Sequence, residues 1–256
     1  MNYLDFAIGM AMNSGEIAMK CFRKNAIVSI KKEGDYESIV TETDKEIEKF
    51  ITSEIKKTYP NHKTLGEEYG GAKEKENFLW VIDPIDGTEN FVKGIDYFSV
   101  SIALQKDGKS LVGVVYNPAT KELFHAKKGA GAYLNSQPIH VSKTTSLKDA
   151  VVSFDSITTD EHKKKLVLDI QKTFPKIRSI RVMRSASLDC CYIACGRYDG
   201  HIATCIKPWD IAAAGLIIEE AGGTITDRAG NSGYPYIKHF VASNKKLHKE
   251  LLTIIK

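Results

Sequence analysis

The chain lacks any run of about 18 uninterrupted apolar residues, so no helical membrane span is expected. Internal repeats and low-complexity tracts are absent, which removes solenoids and fibrous arrays from consideration. Charge of one sign is also scarce. The net charge is +4 across 256 residues, 27% of them charged. The Lys-rich piece at 162–165 has no interleaved aromatics and fits no nucleic-acid reader motif, so it reads as a solvated helix face, and no nucleic-acid partner is expected. Cysteines are few: Cys21, Cys190, Cys191, Cys195 and Cys205. Their number is odd and their spacing is not that of a zinc site. Cys190, Cys191 and Cys195 lie in an apolar, helix-like run and read as buried thiols, which suits a reducing cytosol. No basic segment precedes the first apolar run, which carries Asp5 and Glu16. A signal peptide is therefore not expected, and a cytoplasmic location is. An EF-hand loop pattern is missing too, which argues against a calcium-binding structural role.

What is present is a chain that can build a core, with 43% hydrophobic residues. Apolar spacing predicts a helix over 3–23. A second helix follows, capped by Thr43 or Asp44 and ending near Tyr59 because Pro60 disfavours a helical residue before it. Residues 78–82 read as a buried strand, and 98–105, 111–116 and 122–126 as an antiparallel meander. Beyond residue 150, strands at 151–154, 177–182, 200–204, 224–226 and 240–242 alternate with helices at 162–174, 187–195 and 211–220 and a last one after Asn244. The change of pattern predicts an N-terminal α+β unit over 1–145 and a C-terminal α/β unit over 146–256, with no flexible linker. Trp80 and Trp209 read as packing residues. His62, His125, His140 and His201 read as turn or surface residues, because no histidine falls in a ligand pattern.

Four acidic clusters stand at junctions between strand or loop and helix: TETD (41–44), GEE (66–68), DPIDGT (83–88) and PWD (208–210). Buried carboxylates are costly unless something compensates them. Hard divalent ions such as magnesium prefer oxygen ligands, and a pair of them can hold both an attacking water and a leaving oxygen. Pro84 keeps the DPID segment extended, and Gly87 permits a sharp turn with close backbone approach. A helix starting at 88–91 would aim free amides back at the carboxylates and at a phosphate. One short segment can thus supply metal ligands, a phosphate cradle and the Thr88 hydroxyl. No covalent nucleophile is evident.

The motifs SIVTETD (38–44), GEE, WVIDPIDGTENFVKG (80–94), KKGAGAYLNSQPIHVS (127–142) and KPWDIAAAGLIIEEAGG (207–223) together resemble those of the inositol monophosphatase family, within the lithium-sensitive, magnesium-dependent phosphatases. The likeness spans essentially the whole chain. It implies a layered αβαβα sandwich of the sugar-phosphatase kind, a homodimer, and two or three Mg2+ ions in a cleft between the two units. It implies that Glu67, Asp83, Asp86 and the Ile85 carbonyl bind the first metal sites and that Asp210 joins Asp83 and Asp86 at another. Asp44 would support a further ion through water or orient Thr88. Glu67 and Thr88 would position and deprotonate the attacking water, and the Gly87 and Thr88 amides would hold the phosphate.

The expected reaction is hydrolysis of a small phosphorylated metabolite, an inositol monophosphate or a related sugar or polyol phosphate, by in-line attack of water. The start of a helix near Ser185 and Ala186 would add donors. Two departures bear on the substrate. Ala203 stands seven residues before Asp210, where many family members carry a glutamate that meets sugar hydroxyls. Arg184 replaces a frequent glycine, and it would clamp a second anionic group or else pair with a nearby acid. Fructose 1,6-bisphosphate, histidinol phosphate and 3′-phosphoadenosine 5′-phosphate are therefore alternative substrates. The alternative class is a regulator that binds other proteins on the same fold. The full carboxylate set with Thr88 favours the enzyme.

Overall fold

The computed structural model describes residues 2–24, 28–30, 39–72, 76–156 and 159–256, with 28–30, 39, 40 and 156 described by backbone alone. Ser38, the first residue of the SIVTETD motif, lies outside them. In chain order the elements are α1 (Tyr3–Cys21), β1 (Val28–Ile30), β2 (Ile39–Thr41), α2 (Glu42–Thr58), β3 (Lys63–Gly66), β4 (Gly70–Gly71), β5 (Phe78–Asp86), α3 (Thr88–Lys93), β6 (Ser99–Lys106), β7 (Lys109–Asn117), β8 (Glu122–Lys127), β9 (Ala132–Leu134) and β10 (Gln137–Ile139). Then follow β11 (Val151–Ser156), α4 (Asp160–Thr173), β12 (Ser179–Arg181), α5 (Ala186–Ala194), β13 (Gly200–Thr204), α6 (Pro208–Glu220), β14 (Thr224–Asp227), β15 (His239–Ser243) and α7 (His248–Ile255).

Side-chain alternation along the strands builds the layers. In β5, Trp80 and Ile82 face one core while Leu79 and Val81 face another. In β6, Val100, Ile102 and Leu104 join the first and Ala103 the second. The first core is closed by α1 and α2, the second by α5 and α6. The eight-stranded sheet, ordered β10-β9-β8-β7-β6-β5-β3-β4, is antiparallel except where β3 runs beside β5. The five-stranded sheet, ordered β12-β11-β13-β15-β14, is parallel across β12, β11 and β13. Its outer face, with Val152, Phe154, Ile202 and Val241, is covered by α4 and α7. The stack is helix, sheet, helix, sheet, helix, as expected for an αβαβα sandwich. Helix α6 lies so close to β7 that a Cβ on Gly113 would meet the Ala213 carbonyl at 2.5 Å.

Three sequence expectations are corrected. The cap of α2 is Thr41, not Thr43 or Asp44, because Thr41 and Asp44 form a reciprocal capping box. The strand foreseen at 78–82 runs on to Asp86, since Asp83 and Asp86 both keep partners on β6. His201 is fully buried in β13, not at a turn or the surface, because its ring finds the Ser153 hydroxyl at 2.8 Å inside the central layer. Trp80 is buried as a packing residue, and the indole donates to His62 Nδ1 at 3.1 Å. Among the described residues no helix is long and apolar enough to cross a membrane.

Candidate active site

Asp83 and Asp86 are three residues apart, so on a regular strand they would point to opposite faces. A β-bulge prevents this. Asp83 pairs with Ser101 and Asp86 with Ser99, so three steps on β5 match two on β6. Pro84, which has no amide to contribute to a ladder, falls within the irregular stretch. The extra residue resets the phase and turns both carboxylates into the central helical layer. Gly87 then adopts φ +90°, and α3 begins at Thr88. A Cβ at Gly87 would lie 3.1 Å from the Tyr97 carbonyl and 3.3 Å from that of Arg184, so the close approach and the positive φ both call for glycine.

The two aspartates are served very differently. Asp86 Oδ2 accepts from the Ser185 hydroxyl at 2.6 Å and the Ser187 amide at 2.9 Å, and Oδ1 accepts from the Ala186 amide at 3.2 Å. The donors at the start of α5, expected to serve substrate, are thus engaged by Asp86. Burial pushes Asp86 up to about 7, with the Ser185 hydroxyl opposing. Asp83 is buried, and its Oδ1 has no hydrogen-bond partner among the described residues. Burial, then the charges of Glu67, Asp86, Asp210 and Asp44, hold Asp83 well above the ordinary carboxylate range. Four other carboxylates therefore surround it within electrostatic reach.

Asp44 reaches the site from the first turn of α2. Its Oδ2 accepts from the Thr41 amide and hydroxyl, and its Oδ1 receives the Thr88 hydroxyl at 3.4 Å. Thr88 also donates to the Ile85 carbonyl at 3.0 Å. Burial raises Asp44 to about 7 against the Thr41 hydrogen bonds. Asp210 comes from α6, whose first turn places its Oδ2 against the Lys207 amide at 2.7 Å, while Ser187 donates to its backbone carbonyl. Burial lifts Asp210 well above normal despite that amide. Glu67 is half-buried in the loop after β3.

Sequence reasoning missed the residues that support these groups. Glu48 is buried, and its carboxylate receives the Glu68 amide at 2.7 Å and the Tyr69 amide at 3.0 Å, which fixes the loop carrying Glu67. A Cβ on Gly66 would run into that carboxylate, which explains the glycine of GEE. The available signal was spacing, since Glu48 lies one turn after Asp44 on the same helix face. Asn90 donates to the Tyr97 and Met183 carbonyls, both at 2.7 Å, and ties α3 to the segment entering α5. Asp155 pairs with Arg184 at 3.0 Å. Arg184 itself sits at φ +61°, a left-handed conformation that costs a non-glycine residue about 1 kcal/mol or more.

Among the described residues no three His, Cys, Asp or Glu side chains are drawn into a ligating cluster. The donor set nonetheless fits a hard cation: it is all oxygen, it is crowded with like charge, and it contains one orphaned buried oxygen. Cys190 and Cys191 are buried on α5, Cys195 is half-buried, and burial pushes all three thiols up, so none is an activated nucleophile.

Known proteins share this arrangement along the whole chain. The model of the inositol monophosphatase family matches residues 2–256. The fructose-1,6-bisphosphatase/inositol-1-monophosphatase of Thermotoga maritima is 37% identical over 255 residues, covering 100% of this chain and 96% of that protein. The Nus factor SuhB of Pasteurella multocida is 38% identical over 260 residues, covering 98% and 95%. Among solved structures, Thermotoga maritima IMPase superposes with a TM-score of 0.91 at 37% identity, covering 100% and 97%. An IMPase/NADP phosphatase complexed with Mg2+ and phosphate gives 0.81 at 29% identity, covering 93% and 90%. The chain therefore belongs to the inositol monophosphatase family, a family of phosphomonoesterases.

Proposed function

We propose that the protein hydrolyses the monophosphate ester of a small polyol or sugar, an inositol monophosphate being the first candidate, with two or three Mg2+ ions. The observation that carries this reading is the buried Asp83 Oδ1, without a partner among the described residues and within electrostatic reach of Glu67, Asp86, Asp210 and Asp44. Glu67, Asp83, Asp86, Asp210 and the Ile85 carbonyl are the groups that would hold the ions. Bound Mg2+ supplies positive charge to the phosphoryl oxygens and lowers the pKa of water.

The chain's own groups do the rest. The Gly87 and Thr88 amides, free at the start of α3, hold the phosphoryl group. Thr88 Oγ1 accepts a proton from the attacking water as it passes its own to Asp44 Oδ1. Asp44, raised to about 7, is matched to taking that proton near neutral pH. Ser185, Ala186 and Ser187 keep Asp86 aimed into the site, and Asp210 closes it from α6. The residues come from both 1–145 and 146–256, which we read as two units flanking the cleft. A homodimer and a cytoplasmic location complete the reading, the former testable by light scattering.

The test is phosphate release from a panel of inositol, sugar, nucleotide and amino-alcohol phosphates, with Mg2+ and with or without lithium. Activity that requires Mg2+ and falls with lithium upholds the reading, and no release from any ester refutes it. The SuhB relatives, named as Nus factors, favour a second reading as a protein-binding regulator. An Asp83→Asn protein that loses turnover but keeps a partner would separate the two roles.

A further inference from the structure

We infer that Asp155, fixed by Arg184, reads the hydroxyl groups of the leaving alcohol and disfavours a leaving group that carries a second phosphate. The inference rests on the phosphatase reading above and assigns its alcohol-binding side.

The placement follows from register. In β11, Val152 and Phe154 face the outer core with α4 and α7, so Ser153 and Asp155 face the central layer. Ser153 meets His201 there, and Asp155 lies opposite Ala203. The Asp155 side chain retains 14% exposure and that of Arg184 33%, so the pair lies at the mouth of the site.

Arg184 supplies the second half of the argument. It directly precedes Ser185, the residue whose hydroxyl grips Asp86, and its carbonyl backs Gly87 at the phosphate cradle. An arginine held at φ +61° is an unfavourable choice at a bend that glycine would fill freely. Its guanidinium offers a planar fork of donors, one of which is spent on Asp155 at 3.0 Å. The ion pair is thus preformed, a carboxylate beside a guanidinium. Arg184 is already neutralised by Asp155, so a second phosphate would find no uncompensated cation there and would meet the Asp155 carboxylate. A neutral polyol would meet donors and acceptors together.

The experiment compares kcat/KM for myo-inositol 1-phosphate, p-nitrophenyl phosphate and fructose 1,6-bisphosphate in wild type, Asp155→Asn and Arg184→Gly. In Asp155→Asn the ratio of inositol phosphate to aryl phosphate should fall at least fivefold, chiefly through KM, and the bisphosphate should gain at least fivefold on inositol phosphate. Arg184→Gly suits the left-handed backbone, so it should fold with an undiminished Tm and move both ratios the same way. Equal losses on all three esters, or ratios within twofold of wild type in both variants, overturn the assignment. A wild type inactive on every ester would instead refute the phosphatase reading on which it rests.

Discussion

Two buried polar clusters flank α5, and they handle charge in opposite ways. At the start of the helix, Asp83, Asp86 and Asp210 gather with Glu67 and Asp44, and like charge accumulates around an oxygen with no donor. One turn along, Asp189 is fully buried, yet Tyr97 donates to its Oδ1 at 2.8 Å and His201 Nδ1 lies 3.5 Å from its Oδ2. Burial lifts Asp189 and lowers His201 to about 3, so the second cluster favours neutral partners, with Asp189 Oδ2 and His201 Nε2 left without a hydrogen bond among the described residues. The first gathers five carboxylates, a charge that an external cation would compensate, whereas the second sets one carboxylate beside a phenol and an imidazole. Buried carboxylates alone do not mark a functional site; what marks it is the accumulation of like charge around them.

The largest expected effect breaks the first cluster. Asp83→Asn should lower kcat more than tenfold and by about a hundredfold or more, a barrier change of roughly 3 kcal/mol. In EDTA the same variant should unfold at a higher temperature than wild type, because a crowded buried charge has gone. A variant retaining a tenth of the wild-type rate would exclude Asp83 from the reaction.

The next effect sets the two clusters apart by pH. Asp44 and Asp86 have folded values near 7, above the unfolded value of 3.8, so the fold favours their protonated forms. Below about pH 4 they are protonated in both states and carry no charge penalty. As pH rises towards 7 they must ionise, and stability of the metal-free protein should fall by a few kcal/mol. Saturating Mg2+ should remove that slope. Thermal unfolding from pH 4 to 8, in EDTA and in Mg2+, measures it, and a slope indifferent to Mg2+ would contradict the contrast.

His201 should give the opposite limb. Its folded value is lowered from 6.5 to about 3, so the unfolded chain takes up a proton that the folded one refuses. Stability is lost as pH falls from 6.5 towards 3. His201→Gln should therefore gain on wild type over that interval, with no dependence on Mg2+, in paired unfolding curves. Tyr97→Phe is the mildest case. It leaves Asp189 Oδ1 without its donor, at a cost of about 1–3 kcal/mol in denaturant unfolding, with the Mg2+ requirement unchanged.

The contrast also explains what could be read in advance. The layers were legible through the family resemblance, and α5 and α6 through their apolar runs, while the alternation of β5 between two cores shows only once both helical layers are in place. The DPIDGT and PWD carboxylates were legible because acids at strand ends and helix starts are conspicuous. Asp155 and His201 were not, since each lies in a strand whose face is decided by a distant partner across the sheet. Glu48 was overlooked because an acidic residue on an amphipathic helix usually faces water, and only the loop arriving from Gly66 turns it inward. The position of Asp86 depended on an irregular pairing that a local pattern does not reveal.

That irregular pairing makes the active strand sensitive to parity. If the same three-residue spacing were paired without the bulge, the second aspartate would swing through the sheet into the layer of Trp80 and Ile82, whereas removing one residue would give a regular ladder with both aspartates on one face. Segment length and bulge are therefore coupled in DPIDGT: with three steps between the aspartates, the bulge is what keeps both carboxylates on the side of the reaction.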